Sequence, residues 1–463
     1  MTNIIETIYS WLWGDLVTIP LPGGASMGLS LLVILLIPTG IYFTIRTRFL
    51  PIRLFPDMVR ATLEKRADGS SSLSSFQALI VSTATRVGMG NLVGVVAAIS
   101  AGGAGAVFWM WITAIIGSST AFIEATLAQI YKEKDPLYDG YRGGPAYYIH
   151  AFVTEKKGGK PRRYSIMAVL FALSGLICWC GISQVISNSV ASSFANAFHI
   201  PPLYTTIALV ALAAVIVLRK HATVKVLDIL VPIMACCYFA VTVILIIIHI
   251  NQVPAVLERI FAEAFGFRQV AAGGFGAVLM NGIKRGLFSN EAGSGSAPCA
   301  AAAVETDHPA KVGLVQALGV FIDTIVICSC TAFIILLVPA DVTSGLMGMD
   351  LMQAAMNYHL GAIGTWFVAI VLWLFSFSTF IGILFYARSN VAYLFGDNWF
   401  SQTAYKLLAL AMLFVGGLAA YTVVWDLGDL GVGLMTIFNL AILYPLSGKA
   451  LQALDSYEKG RRT

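Results

Sequence analysis

The chain has 463 residues, 58% of them hydrophobic and only 11% charged, with a mean hydropathy of +0.81. An ordinary soluble domain carries about 25% charged residues, so this composition excludes a water-soluble globule and predicts a polytopic protein whose first partner is the lipid bilayer. The net charge of +5 sits in loops on one side of the expected bundle, so it reads as membrane topology and not as a nucleic-acid surface.

The opening stretch MTNIIETIYSWLWGDLVTIPLPGGA has no Lys or Arg and no compact apolar core ahead of a cleavage site, so no cleavable signal is expected. Eleven segments are then long and apolar enough to cross a ~30 Å core: approximately 27–45, 73–101, 104–131, 165–190, 203–218, 226–250, 270–289, 312–338, 364–387, 404–424 and 428–446. Proline, glycine and charge clusters fall between them, as breakers should in an all-helical chain. Loop 46–72 holds Arg46, Arg48, Arg53, Arg60, Lys65 and Arg66, loop 132–164 holds eight basic residues, and 219–225 and the tail 447–463 add more on the same side. The opposite connections have almost none beyond Arg259 and Arg268. The positive-inside rule therefore predicts a plasma-membrane protein with its N-terminus outside and its C-terminus cytoplasmic, as an odd number of spans requires. The cysteines Cys178/Cys180, Cys236/Cys237 and Cys328/Cys330 lie in apolar runs and read as packing, since these pairs lack the ligand set of a zinc site.

Within the second span, residues 85–94 read TRVGMGNLVG. A straight helix over 73–101 would exceed ~40 Å, and glycine costs about 1 kcal/mol in a helix interior. Two readings fit. The stretch is either a discontinuous helix whose free backbone groups bind something, or a close-packing seam of Gly88, Gly90 and Gly94. A second glycine-rich span, 270–289, carries Gly273, Gly274 and Gly276. With 27–45 as an extra helix, the remaining ten split into 73–250 and 270–446. Five crossings each invert the second half, and the first helix of each half is the interrupted one. Broken helices at matching positions of inverted repeats point to a secondary transporter's binding site. The expected fold is thus an all-α transmembrane domain of eleven helices, a five-plus-five inverted repeat in one domain, ending in a cytoplasmic tail at 447–463.

The segments ATRVGMGNLVGVVAAISAGGAGAVFWMW (84–111), YRGGPAYYI (141–149), GIKRGLFSNEAGSGSAP (282–298), TDHPAKVGLVQALGVFIDT (306–324) and FSFSTFIG (375–382) resemble the alanine or glycine:cation symporter family over about residues 25–450. The resemblance implies the leucine-transporter fold with one added N-terminal helix. It also implies sodium-driven uptake of a small neutral amino acid, alanine or glycine, with no enzyme activity and no cofactor beyond sodium as the coupling ion.

A zwitterionic substrate needs both its charges partnered in a dry cavity. Backbone N–H groups at Met89 and Gly90, beside Gly88 and Asn91, would meet its carboxylate at a helix start. The expected unwound turn at Gly273, Gly274, Phe275 and Gly276, with Thr85 nearby, would accept from its ammonium. Gln184 and Asn188 share a helix face and either line the cavity or bridge helices. Sodium prefers oxygen donors, by the logic of other hard cations. The resemblance assigns these to Ser378, Thr379 and the Phe375 carbonyl, with backbone donors at Ala84 and Val87.

Three departures from the family pattern bear on substrate choice: Met89 replaces a threonine, Ala387-Arg388 replaces a Gly-Glu, and Gln184 is displaced. They leave a glutamine-preferring or proton-coupled symporter as the alternative. Intramembrane charge is a functional hypothesis by default, and Arg86 or Arg285 with Asp323 or Glu124 is expected as an ion-pair network in the cytoplasmic half, either latching the inward gate or serving as a static pair. The six histidines are too scattered for a proton relay. A channel is disfavoured by the inverted halves, and a membrane enzyme by the lack of a catalytic cluster.

Overall fold

The computed structural model describes residues 2–20, 26–63, 88–137, 140–156, 158, 163–219, 224–266 and 274–460. The described chain is helical apart from loops and two small antiparallel hairpins, Val17–Pro20 with Ser26–Leu29 and Glu133–Lys134 with Tyr141–Arg142. Among the described residues, six helices are long and apolar enough to cross a membrane: Gly105–Ile130, Ile166–Phe198, Pro309–Leu336, Ala362–Phe395, Trp399–Leu418 and Tyr421–Gly460. A seventh arises if the pair Ile233–Ile248 and Ile250–Ala264, bent by 77°, is one span. Leu31–Arg46, Gly90–Gly102 and Pro202–Val217 are shorter apolar helices.

Helix Ile166–Phe198 runs through the core against Ala362–Phe395, Trp399–Leu418 and Tyr421–Gly460. With no hydrophobic drive between helices in lipid, close approach does the holding, and small residues permit it. A Cβ on Gly181 would stand 2.2 Å from the Gly428 nitrogen, and one on Gly416 2.2 Å from Gln184 Cα.

Two features lay outside the sequence reading. The N-terminal tail forms a helix, Thr2–Trp13, whose Trp13 is buried and donates its indole N–H to the Asp429 carbonyl at 3.0 Å. The expected tail at 447–463 continues the last helix to Gly460, where Asp455 pairs with Arg48 at 2.8 Å and Glu458 with Arg53 at 2.7 Å.

The second interruption is not where the glycines suggested. Gly274, Phe275 and Gly276 are the first turn of a regular helix, Gly274–Asn290; Gly273 lies outside the described residues. Gly276 is small because a Cβ there would come 2.8 Å from the Gly28 nitrogen of the first hairpin, so the glycine serves an approach and not an unwinding. The break falls at 291–296, before the short helix Ala297–Ala301. Glu291 at φ 58°, Gly293 at φ 97° and Gly295 at φ 83° turn the chain through the left-handed region, which stops a helix.

Candidate functional site

Thr85, Arg86, Ala84 and Val87 lie outside the described residues, so the site is built from Gly88 onward. The Gly88 N–H donates to Asn91 Oδ1 at 2.9 Å, and Gly90–Gly94 winds as a π-helix before Val95–Gly102 continues as α-helix. The wider turn is an irregularity that recurs at functional positions. A Cβ on Gly90 would meet Ser289 Cα at 3.4 Å, and one on Gly94 the Phe288 ring at 3.6 Å. Both distances are ordinary contact, so neither glycine is forced by a close approach there, and the element they face is the helix that leads into the second break.

Asn91 reads across this seam. Its amide nitrogen donates to Asp323 Oδ1 at 2.7 Å and to the Asp323 carbonyl at 3.0 Å, and lies 3.3 Å from Ser289 Oγ. Ser289 and Thr324 hydroxyls donate to Asp323 Oδ2 at 2.9 and 2.7 Å, and Thr331 Oγ1 donates to the Asn91 carbonyl at 2.7 Å. Asp323 sits in a second π-helical stretch, Phe321–Cys328, and is fully buried. Hydrogen bonds to the charged form are what make a buried carboxylate tolerable. Asp323 is thus the hub where two irregular helices and the 274–290 helix meet.

The Met89 N–H donates to Thr379 Oγ1 at 3.1 Å. A backbone donor expected to face the substrate's carboxylate is thus held by a hydroxyl expected to face sodium. On the same helix Ser378 Oγ donates to the Phe375 carbonyl at 2.8 Å, so those three residues of the expected ion set are neighbours, and all three are buried.

Other expected residues fall elsewhere. Gln184 Nε2 meets Met412 Sδ at 3.3 Å, and Asn188 donates to the Gly416 and Ala419 carbonyls at 3.2 and 2.7 Å. Both therefore bridge to the 399–418 helix, the second of the two alternatives. Phe275 packs beside Trp109, with ring centres 6.2 Å apart.

Glu124 supports the second break. Its Oε2 accepts the Gly293 N–H at 3.0 Å, and its Oε1 accepts from Asn439, which also donates to the Gly293 carbonyl at 3.0 Å. Tyr148 donates to Asn439, and Tyr386 donates to Glu291 Oε2 at 3.2 Å. Side chains from other helices thus replace the hydrogen bonds that the interrupted backbone gives up.

Arg285 is paired differently from the expected network. Its two terminal nitrogens meet the Asp429 oxygens at 3.0 and 3.1 Å, a bidentate fork, and Lys284 pairs with the same carboxylate. The guanidinium lies 3.8 Å over the Trp425 ring, and Lys284 bonds the Tyr9 hydroxyl. The cluster lies at the end of the bundle that carries the N-terminal helix, away from the expected cytoplasmic half. Asp429 was missed although its signal was present: an acid at the opening of an otherwise apolar span.

Residues 22–463 match the Sodium:alanine symporter family. The probable sodium/glutamine symporter GlnT of Bacillus subtilis is 44% identical, over 93% of this chain and 88% of that one. The sodium/alanine symporter AgcS of Methanococcus maripaludis is 33% identical, over 99% and 98%. A crystal structure of the Eremococcus coleocola manganese transporter shares the fold, with a TM-score of 0.52, 15% identity, and coverage of 84% and 81%. The interrupted helices meeting at Gly90 and Ser289 thus lie in a chain matched almost end to end, and that chain belongs to the sodium:alanine symporter family.

Proposed function

We propose that the protein is a sodium-coupled symporter that imports a small neutral amino acid, alanine or glycine, by alternating access. The single observation that carries this reading is the family match over residues 22–463. In this reading the chain is one domain of eleven membrane helices. An extra helix near 27–45 precedes inverted repeats at 73–250 and 270–446, with the N-terminus outside the plasma membrane and the C-terminus in the cytoplasm.

The substrate carboxylate faces the start of the 90–102 helix, where the dipole is positive. In this reading sodium is held by oxygens of Phe375, Ser378 and Thr379, and the family resemblance adds the carbonyls of Ala84 and Val87. The contact between Thr379 Oγ1 and the Met89 N–H supports coupling, because an ion drawn to that hydroxyl also sets the segment that receives the substrate.

Glutamine is the second reading, favoured by the name of the 44% identical relative. Uptake into proteoliposomes, with L- and D-alanine, glycine, serine and glutamine as competitors and with sodium and proton gradients imposed separately, decides between them. Sodium-stimulated uptake with alanine or glycine ranked first is the expected result. Glutamine ranked first overturns the small-substrate reading, and uptake indifferent to sodium overturns the coupling.

A further inference from the structure

We propose that His249 and His359 form a binding site for a divalent transition-metal ion of the zinc class, joining the end of the 224–248 helix to the Gly348–Leu360 helix. His249 follows Val224–Ile248, and its Nδ1 lies 3.0 Å from the Leu245 carbonyl. His359 lies in the last turn of Gly348–Leu360, and its Nε2 is 2.9 Å from the Ile334 carbonyl. A carbonyl has no proton to give, so each of these nitrogens carries the ring hydrogen. In the neutral rings the lone pairs are then left on His249 Nε2 and His359 Nδ1. His359 Nδ1 is buried and has no hydrogen-bond partner. An imidazole whose far N–H is anchored on a backbone carbonyl is the arrangement that orients metal-binding histidines.

The spacing fits a shared ion. The two rings are 5.0 Å apart between centres and inclined at 69°. With metal–nitrogen bonds of about 2.0–2.1 Å, a tetrahedral angle and a ring centre about 1.1 Å behind each nitrogen, two imidazoles on one zinc stand roughly 5 Å apart. Both histidines are half-buried, and water would complete the remaining positions of the ion. Two neutral nitrogen donors suit zinc, copper or nickel, whereas sodium and magnesium want oxygen.

Such an ion would fasten parts that otherwise meet through weaker contacts. The 348–360 helix packs on Ala362–Phe395, Ile166–Phe198 and Val95–Gly102. Its Asp350 and Gln353 accept from Asn196 at 2.7 and 3.0 Å. A metal bridge to the 224–248 helix slows any step in which these elements separate, so occupancy lowers turnover. The transport readout rests on the symport reading, whereas the binding readout does not.

Purified full-length protein is titrated with zinc chloride by calorimetry, as wild type, His249→Gln, His359→Gln and the double variant. One micromolar site is expected in the wild type, weakened about tenfold or more in each single variant and lost in the double. In proteoliposomes, micromolar zinc reduces sodium-driven uptake in the wild type but not in the variants, and a chelator restores it. Should a variant fail to fold, the wild type alone still decides: zinc is expected to protect both histidines from diethylpyrocarbonate, read peptide by peptide. Absence of micromolar zinc binding in the wild type, binding retained in the double variant, or modification of the two histidines unchanged by zinc overturns the proposal.

Discussion

The two interrupted segments solve one problem in opposite ways. At 88–94 the chain stays wound, widened into a π-turn over Gly90–Gly94 that lies in ordinary contact with Phe288 and Ser289. At 291–296 it leaves the helix altogether, passes three times through positive φ, and hangs on Glu124 and Asn439. The first keeps its winding and is tied to its neighbours through Asn91, Thr331 and Thr379, whereas the second has left the helix and depends on side chains for its backbone partners. Because side chains stand in for backbone hydrogen bonds at Gly293, removing one of them leaves a buried backbone group unsatisfied, and the second segment is expected to be the more fragile under mutation.

The largest effect is expected above the second segment, at Asp429. Asp429→Ala leaves Arg285 and Lys284 as buried cations without their shared carboxylate, and breaking such a pair costs about 3–5 kcal/mol. Thermal unfolding in detergent measures it, and an unchanged midpoint would show that the cluster is not structural.

Next comes Glu124→Ala, which strips the acceptor from the Gly293 N–H and from Asn439 and is expected to cost about 1–3 kcal/mol for the group left unsatisfied. Glu124→Gln keeps an acceptor and should recover part of it. Equal losses in both would mean that the charge, and not the hydrogen bond, holds the break.

At the first segment, Thr379→Val keeps the volume and deletes the oxygen that accepts from Met89. Half-saturation by sodium is expected to rise about fivefold, the equivalent of one hydrogen bond near 1 kcal/mol, while folding is kept. If Ser378→Ala combined with Thr379→Val leaves the sodium response unchanged, the ion assignment fails.

The smallest effect concerns Lys132, just beyond the 105–130 helix, which donates to the Val304 carbonyl at 2.7 Å. Burial holds its amine down to about 8, with Glu305 opposing. The unfolded chain keeps the ordinary 10.5, so between those values the unfolded state binds more protons and the Lys132 contribution to stability rises with pH. Lys132→Met should remove that rise, seen as the difference between wild-type and variant unfolding midpoints across the window. A difference that falls with pH would reverse the assignment.

Helix positions were legible because they rest on local hydropathy: the last seven expected segments all lie largely over helices that begin within several residues of the expected starts. GMGN pointed to an irregularity at the first interruption, which in the described residues is a π-turn over Gly90–Gly94 and not an unwound stretch. The second was misplaced because glycine alone cannot say whether it serves a turn or an approach. Gly276 serves the hairpin at Gly28, whereas the true break is fixed by Glu124 and Asn439, both more than a hundred residues away in sequence. The Arg285 partner was illegible on similar grounds, since a bidentate pair across 144 residues leaves no local pattern. The N-terminal helix was too short to register as a span.

The final helix is a rod of 40 residues, about 60 Å at 1.5 Å per residue. It is fastened near one end through Asp429 and Trp13 and near the other through Asp455 and Glu458. Asn439, which grips the second break, stands between them, with Pro445 a turn and a half beyond. About that pivot the arms are roughly 15 Å and 24 Å long. A tilt of about 5° then carries Asp429 about 1.3 Å one way and Asp455 about 2.1 Å the other. Such a displacement would part a bidentate fork at one end while leaving a flexible surface pair intact at the other, so any tilt of this rod would load its two ends unequally.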